Sequence, residues 1–389
     1  SSCDVALYMT TVVEGEGMDR SDIRLPGVTR KAQKDEGAII VGKFEAVVKT
    51  NQEESIRRMT AANPNSAVIL LNGAPVDMTA WGDGCAAILE AWYPGEQGAQ
   101  AICEILFGDV NPSAKLPITF PRSVGHIPCF YNHKVSAKGY YKKRGTKEAP
   151  GRDYVFETPD ALFSFGHGLS YTSFAYSDLI LPEKGGIDGK VTVSFTVKNT
   201  GERRGCEVAQ LYVSAPNGQL HKEYQSLAAF AKTELLRPGA RQEVELSFDL
   251  KSLASYREED AAYLLEAGEY ILRLGNSSGN TMIVGALTIP EEVIVSRHQH
   301  ICPAETPLEE LSHGPYNFGG VADNLPHIIV DTSAFETVAY TYEAPQICDD
   351  PRVQGFLDTL SLKEMVEIVV GNGMFGGETR FNMPGSVGN

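Results

Sequence analysis

Apolar and polar positions follow one rhythm before about residue 120 and another after about 175. Residues 4–10 are apolar enough for a buried strand. The spacing of Ile56 and Met59 predicts a helix that opens on a Thr50-x-x-Glu53 capping box, runs to Ala62 and stops at Asn63-Pro64. Residues 67–71 and 86–92 read as a second and a third buried strand. Residues 97–106 read as a helix with Ala101, Ile102, Ile105 and Leu106 on one face. Strands alternating with helices imply a largely parallel sheet. From Ser123 to about Ala149 the periodicity is lost. From about Tyr176 to Pro290 the period becomes two: Val191, Val193, Phe195 and Val197 alternate with Thr192, Ser194, Thr196 and Lys198. Similar runs cover 207–214, 243–250 and 269–275, with turns at Pro238-Gly239 and Asn276-Ser277. About six or seven short strands at this spacing predict an antiparallel β-sandwich. Residues 290–350 read as a linker with one strand near 328–330. Ser361 and Glu364 then form a second capping box, with Leu360 and Met365 placed for a hydrophobic staple, and the helix they open stops at Gly371.

With 389 residues the chain is long enough for two to three cored domains. Its 42 % hydrophobic and 22 % charged residues are ordinary for a globular protein. The formal net charge of -16 argues against nucleic acid as a partner, since that needs clustered Lys and Arg. The longest aliphatic run, 67–71, is far too short to cross a bilayer, so no membrane partner is expected. Seven scattered cysteines without a Cys-x-x-Cys argue against a disulfide scaffold or a zinc site. They favour a reducing, cytoplasmic location. No signal peptide opens the chain, and SSCDVALYMTT reads like the middle of a domain.

Candidate chemistry concentrates in the loop after the first strand, EGEGMDR, at residues 14–20. Loops beyond the carboxyl ends of parallel strands are where active groups sit. Glu14 and Glu16 are flanked by glycines that let backbone approach a substrate. From the residues alone, they are either a general acid/base or exposed loop acids. His167 between two glycines reads as structural. His298, His300 and Cys302 have a spacing that superficially suits a metal, but no second cluster accompanies them, and no metal or cofactor is expected. The glycines of 371–377 lack the Lys-Ser/Thr of a phosphate loop. Trp81 and Trp92 read as core, and Glu96 as an acid in the first turn of a helix, complementing its dipole.

Three segments carry a family resemblance: EGEGMDRSDIRLPG at 14–27, AAILEAWYPGEQGAQAICEILFGDVNPSAKLPITFP at 86–121, and FGHGLSY at 165–171. Together they resemble the second, α/β-sandwich domain of glycoside hydrolase family 3 and its passage into a fibronectin type III-like domain. The resemblance covers residues 1 to about 290. It implies an α/β sandwich domain at 1–135, a connecting segment at 136–175 and a fibronectin type III-like domain at 176–290. A linker at 291–350 and the start of a (β/α)8-type barrel at 351–389 complete the expected order. Family members usually place the barrel first; here residues 360–373 look like a barrel's opening helix, which implies a permuted member with the barrel last, truncated at both ends.

By the same resemblance Glu16 is the general acid/base, with Glu14 its rival, and Asp19 and Arg20 support the loop through an ion pair. The family's nucleophile is a barrel Asp followed by Trp. Neither Trp81 nor Trp92 follows an Asp, so the nucleophile and the first sugar pocket are expected outside this chain, and the isolated chain is expected to be inactive. The implied activity is that of a retaining β-glucosidase on β-linked gluco-oligosaccharides or aryl β-glucosides, completed by a barrel domain and needing no cofactor. Alternatives are a β-xylosidase or other exo-glycosidase, or an inactive carbohydrate-binding or structural module. A homo-oligomeric state is among the expectations. One departure is 28–51, a Lys-rich stretch longer than the family's linker at that point.

Overall fold

The computed structural model describes residues 3–12, 14, 23–27, 51–122, 161–182, 190–220, 222–301, 315–333, 335–343 and 350–370. The chain divides into two units, residues 1–340 and 341–389.

The first unit opens with three parallel strands, β1 (Ala6–Met9), β2 (Ser66–Leu70) and β3 (Ala87–Glu90), in that order across the sheet. Helix α1 (Gln52–Ala62) crosses between β1 and β2. Its start corrects the expected Thr50–Glu53 capping box. Asn51 is the N-cap, and its side chain accepts the Glu54 N–H at 3.1 Å. Asn caps as well as Thr does, so the register moves by one residue. Helix α2 (Gly98–Phe107) follows β3 and ends at Gly108 in the left-handed conformation, φ 80°. Its buried face is narrower than the sequence pattern suggests: Ile102 is buried, whereas Ala101 is exposed. Glu96 precedes this helix instead of occupying its first turn. Ile56, Val68, Leu70, Val76, Met78, Trp81 and Phe120 form the core here. Trp81 is buried, and Trp92 packs on Phe120 with ring centroids 6.0 Å apart.

The FGHGLSY segment lies at the junction with the β-sandwich. Gly166 has φ 79°, and a Cβ there would lie 2.1 Å from Gln210 Oε1. Only glycine fits this close approach. Gln210 donates to the Gly166 carbonyl at 3.2 Å. Lys115 Nζ donates to the Gly168 carbonyl at 2.8 Å and pairs with Glu207 at 3.2 Å. His167 stacks on Phe163 at 5.0 Å, and burial, with Lys115 nearby, lowers its pKa. These contacts give His167 a packing role.

The sandwich holds β4 (Phe174–Ile180), β5 (Lys190–Asn199), β6 (Val208–Ser214), β7 (Ser226–Lys232), β8 (Arg241–Asp249), β9 (Ser255–Arg257), β10 (Ala262–Leu265), β11 (Gly268–Ser277) and β12 (Asn280–Ile289). The predicted two-residue period is realised in β5, where Val191, Val193, Phe195 and Val197 are buried. β5 pairs antiparallel with β8, setting Val193 opposite Leu246 and Phe195 opposite Val244. Each alternate residue thus faces one core shared with Leu211, Leu272 and Leu287. The strands outnumber the six or seven expected because β9 and β10 are too short to show a period.

Residues 291–350, expected to be a linker with one strand near 328–330, contribute that strand, β14 (His327–Ile329), and two more, β13 (Val293–Arg297) and β15 (Val338–Ala339). β14 pairs parallel with β12, and β15 pairs parallel with β13. Ile328 and Val330 sit in the sandwich core. Their apolar content was visible, but so short a strand has no independent signal of where it pairs.

In the second unit, α3 (Pro351–Leu357) is capped by Asp350, which accepts the Arg352 N–H. α4 (Leu362–Val370) opens on the predicted capping box: Ser361 Oγ accepts the Glu364 N–H at 3.3 Å, and Glu364 Oε2 accepts the Ser361 N–H at 2.9 Å. Residues 371–389, including the Gly-rich stretch, lie outside the described residues.

Candidate functional site at the carboxyl edge of the parallel sheet

Three loops leave the carboxyl ends of β1, β2 and β3, and hydrogen bonds tie them together. Thr10, buried just past β1, accepts the Leu71 N–H through its hydroxyl at 3.0 Å. Glu14 accepts the backbone N–H groups of Gly73, in a short contact, and of Ala74, at 3.1 Å, through the same carboxylate oxygen, Oε1. Tyr93, past β3, reaches the Glu14 carbonyl with its hydroxyl at 3.4 Å. Its ring lies over Gly73, where a Cβ would come within 2.7 Å.

Glu16, Asp19 and Arg20 lie outside the described residues, as do Cys302 and the stretch 28–50. What is described is the pair of stems between which Glu16 falls. The outgoing stem, at Thr11, and the returning one, at Pro26, both bond to the Gln52 side chain at the start of α1. The returning stem is tied again where Asp77 N–H donates to the Ile23 carbonyl at 2.9 Å.

Sequence reasoning passed over Glu90. This residue ends β3, and one carboxylate oxygen accepts the Trp92 N–H at 2.9 Å. The other accepts from Asn72 Nδ2 at 3.3 Å. Asn72 is fully buried and also donates to the Ala74 carbonyl at 2.8 Å. Trp92 has φ 51°, a conformation that a bulky residue adopts only under constraint, and the Glu90 bond helps to hold it there. Burial pushes the Glu90 carboxyl from its ordinary 4.5 up to about 7, and the charge of Glu14 acts in the same direction. The hydrogen bonds from Trp92 and Asn72 oppose that rise. The available signal was one charged residue inside the apolar run AAILEAW.

The Glu90 shift has a thermodynamic consequence. A carboxyl whose folded pKa is raised binds its proton more tightly in the native state. Its contribution is fully present below the unfolded value and is lost as pH rises through the folded one. Wild type should therefore lose stability relative to Glu90→Gln between 4.5 and about 7. Urea midpoints of both proteins at about pH 5 and about pH 8 check this; a gap that does not change with pH contradicts it.

His298 contacts Ser296 Oγ at 2.9 Å, and His300 contacts the Glu258 carbonyl. Among the described residues no three His, Cys, Asp or Glu side chains are grouped to hold a metal ion. Among the same residues no helix is long and apolar enough to cross a membrane.

Comparison with known proteins gives this arrangement a family. Residues 1–171 match the glycosyl hydrolase family 3 C-terminal domain, and residues 207–278 match the fibronectin type III-like domain. A periplasmic beta-glucosidase of Salmonella typhimurium is 35 % identical over 258 residues, covering 63 % of this chain and 33 % of that protein. The thermostable beta-glucosidase B of Acetivibrio thermocellus is 31 % identical over 301 residues, covering 76 % of this chain and 36 % of that protein. Among solved structures, beta-glucosidase 3B from Thermotoga neapolitana in complex with alpha-D-glucose superposes with a TM-score of 0.58 at 30 % identity. That match covers 75 % of this chain and 38 % of that one. The chain thus spans about a third of the length of the curated relatives it matches. The three motifs, the parallel sheet with its joined loops and the sandwich behind it agree with these matches: the chain carries the C-terminal α/β domain of glycoside hydrolase family 3 and the fibronectin type III-like domain.

Proposed function

We propose that this chain supplies the acid/base side of a retaining β-glucosidase, with Glu16 as the acid/base. An aspartate on the family's barrel domain attacks the anomeric carbon while Glu16 protonates the departing oxygen. Glu16 then takes a proton from the water that opens the glycosyl-enzyme. Retention requires the two carboxyl groups roughly 5–5.5 Å apart, so the loop must reach across to the barrel. Asp19 and Arg20 brace it. The substrates are β-linked gluco-oligosaccharides and aryl β-glucosides.

The observation that carries this reading is the engagement of Glu14. A general acid must present a proton to the leaving oxygen. Glu14 Oε1 is already occupied by two backbone N–H donors of its own domain. Of the two glutamates in the EGEG sequence, that favours Glu16. The relatives' names, all β-glucosidases, favour a glucoside over a xyloside.

The test compares the chain alone with the chain joined to its barrel domain, on nitrophenyl β-glucoside and β-xyloside. Turnover of the glucoside by the joined protein only, with the β-anomer released first, is expected. Comparable turnover by the chain alone contradicts the division of the site. Preference for the xyloside changes the substrate.

A further inference from the structure

Gln52 opens α1 with a side chain only 2 % exposed. Its amide is fully engaged across long stretches of sequence. Oε1 accepts the Thr11 N–H at 2.8 Å, and Nε2 donates to the Thr11 carbonyl at 2.9 Å and to the Pro26 carbonyl at 2.8 Å. Thr11 precedes the EGEGMDR sequence and Pro26 follows it. One side chain therefore joins both stems to the first turn of a helix that Asn51 caps and Ile56 anchors in the core.

We propose that Gln52 is the positioning residue for the acid/base carboxylate. The proposal rests on the β-glucosidase reading above. Gln52 acts through the backbone of the two stems and not on the sugar. Only an amide can serve all three partners, since it presents an acceptor and two donors on one planar group. Leucine would leave the Thr11 N–H, the Thr11 carbonyl and the Pro26 carbonyl without their partner. Glutamate would keep the acceptor and the shape but set a carboxylate against two carbonyl oxygens.

A positioning role has a particular kinetic signature. A reacting group displaced by about 1 Å costs on the order of 100-fold in rate. The loss should fall on kcat, because sugar binding does not use these stems. It should also depend on the leaving group. Glucose departing from cellobiose needs protonation, whereas 2,4-dinitrophenolate leaves without it.

The experiment uses the complete enzyme, this chain with its barrel domain, as wild type, Gln52→Leu and Gln52→Glu. Kinetics are measured on cellobiose and on 2,4-dinitrophenyl β-glucoside, with amide hydrogen exchange over residues 11–27. Both variants are expected to lose roughly 10- to 100-fold in kcat on cellobiose at nearly unchanged KM. The loss in kcat/KM on the dinitrophenyl substrate, which reports glycosylation alone, should be much smaller, and exchange at the stems faster. An unchanged kcat on cellobiose, or equal losses in kcat/KM on both substrates, overturns the proposal. If Gln52→Leu does not fold, Gln52→Glu decides. If wild type cleaves no β-glucoside, the β-glucosidase reading falls by itself, and unchanged exchange in the variants overturns the anchoring role separately.

Discussion

Glu16→Ala in the complete enzyme should lower kcat/KM on cellobiose by about 10²–10⁴-fold, the usual share of a positioned acid/base. The loss should shrink on 2,4-dinitrophenyl β-glucoside, whose leaving group needs no proton. With that substrate the glycosyl-enzyme forms but drains slowly, because no base activates water. Azide should restore turnover, since it attacks without base help, and should leave a β-glucosyl azide as product. Glu14→Ala makes the control. Its carboxylate closes the β1 loop onto the Gly73 and Ala74 backbone. Its loss should loosen the loop without producing azide rescue. A Glu16→Ala enzyme with normal rates on cellobiose, or azide rescue of Glu14→Ala alone, moves the role to Glu14.

The largest stability effect is expected at a buried ion pair in the sandwich. Lys222 and Glu266 have side chains 8 % and 9 % exposed, and their charged groups are in direct contact. Lys222 also donates to the carbonyls of Pro216 and Leu220, while Glu266 accepts backbone N–H groups from Gln219 and Leu220. Truncating one partner leaves the other charge buried, at a cost of about 3–5 kcal/mol. Glu266→Ala should therefore lower the urea midpoint far more than an average substitution does. Adding Lys222→Met should recover much of that loss, because the stranded ammonium is then gone. A Glu266→Ala protein within about 1 kcal/mol of wild type would show that water reaches the site.

The parts of the fold that the sequence makes legible share a physical cause. β5 alternates strictly because one of its faces meets β-sandwich core, and such a strand advertises itself. The parallel strands are short apolar runs between helices, so their existence was plain and their ends uncertain by one or two residues. The strand at β14 was legible but its place in a sheet was not, and β15 was not legible at all. Strands of three and two residues carry too few side chains to set a period, and their place depends on partners more than forty residues away. At the site, the strand-end position of the loop was legible, because alternating strands and helices dictate where loops emerge. Its anchoring was not. Gln52 reads as an ordinary first-turn residue, and only the folded chain brings Thr11 and Pro26 to it. Glu90 reads as one polar position in an apolar strand, and its altered acidity arises from burial beside Glu14 and Asn72.

The short parallel strand β14 has a consequence for solubility. Its partner β12 is ten residues long, largely apolar, and without β14 would end a four-stranded sheet with a row of unpaired backbone groups. Such a border recruits strands from other molecules. His327–Ile329 covers part of it, and the Pro326 carbonyl accepts from Ala286 just before. A polypeptide shortened to stop at residue 301 would keep most of the apolar core and yet carry an open seam, prone to self-association in concentrated solution.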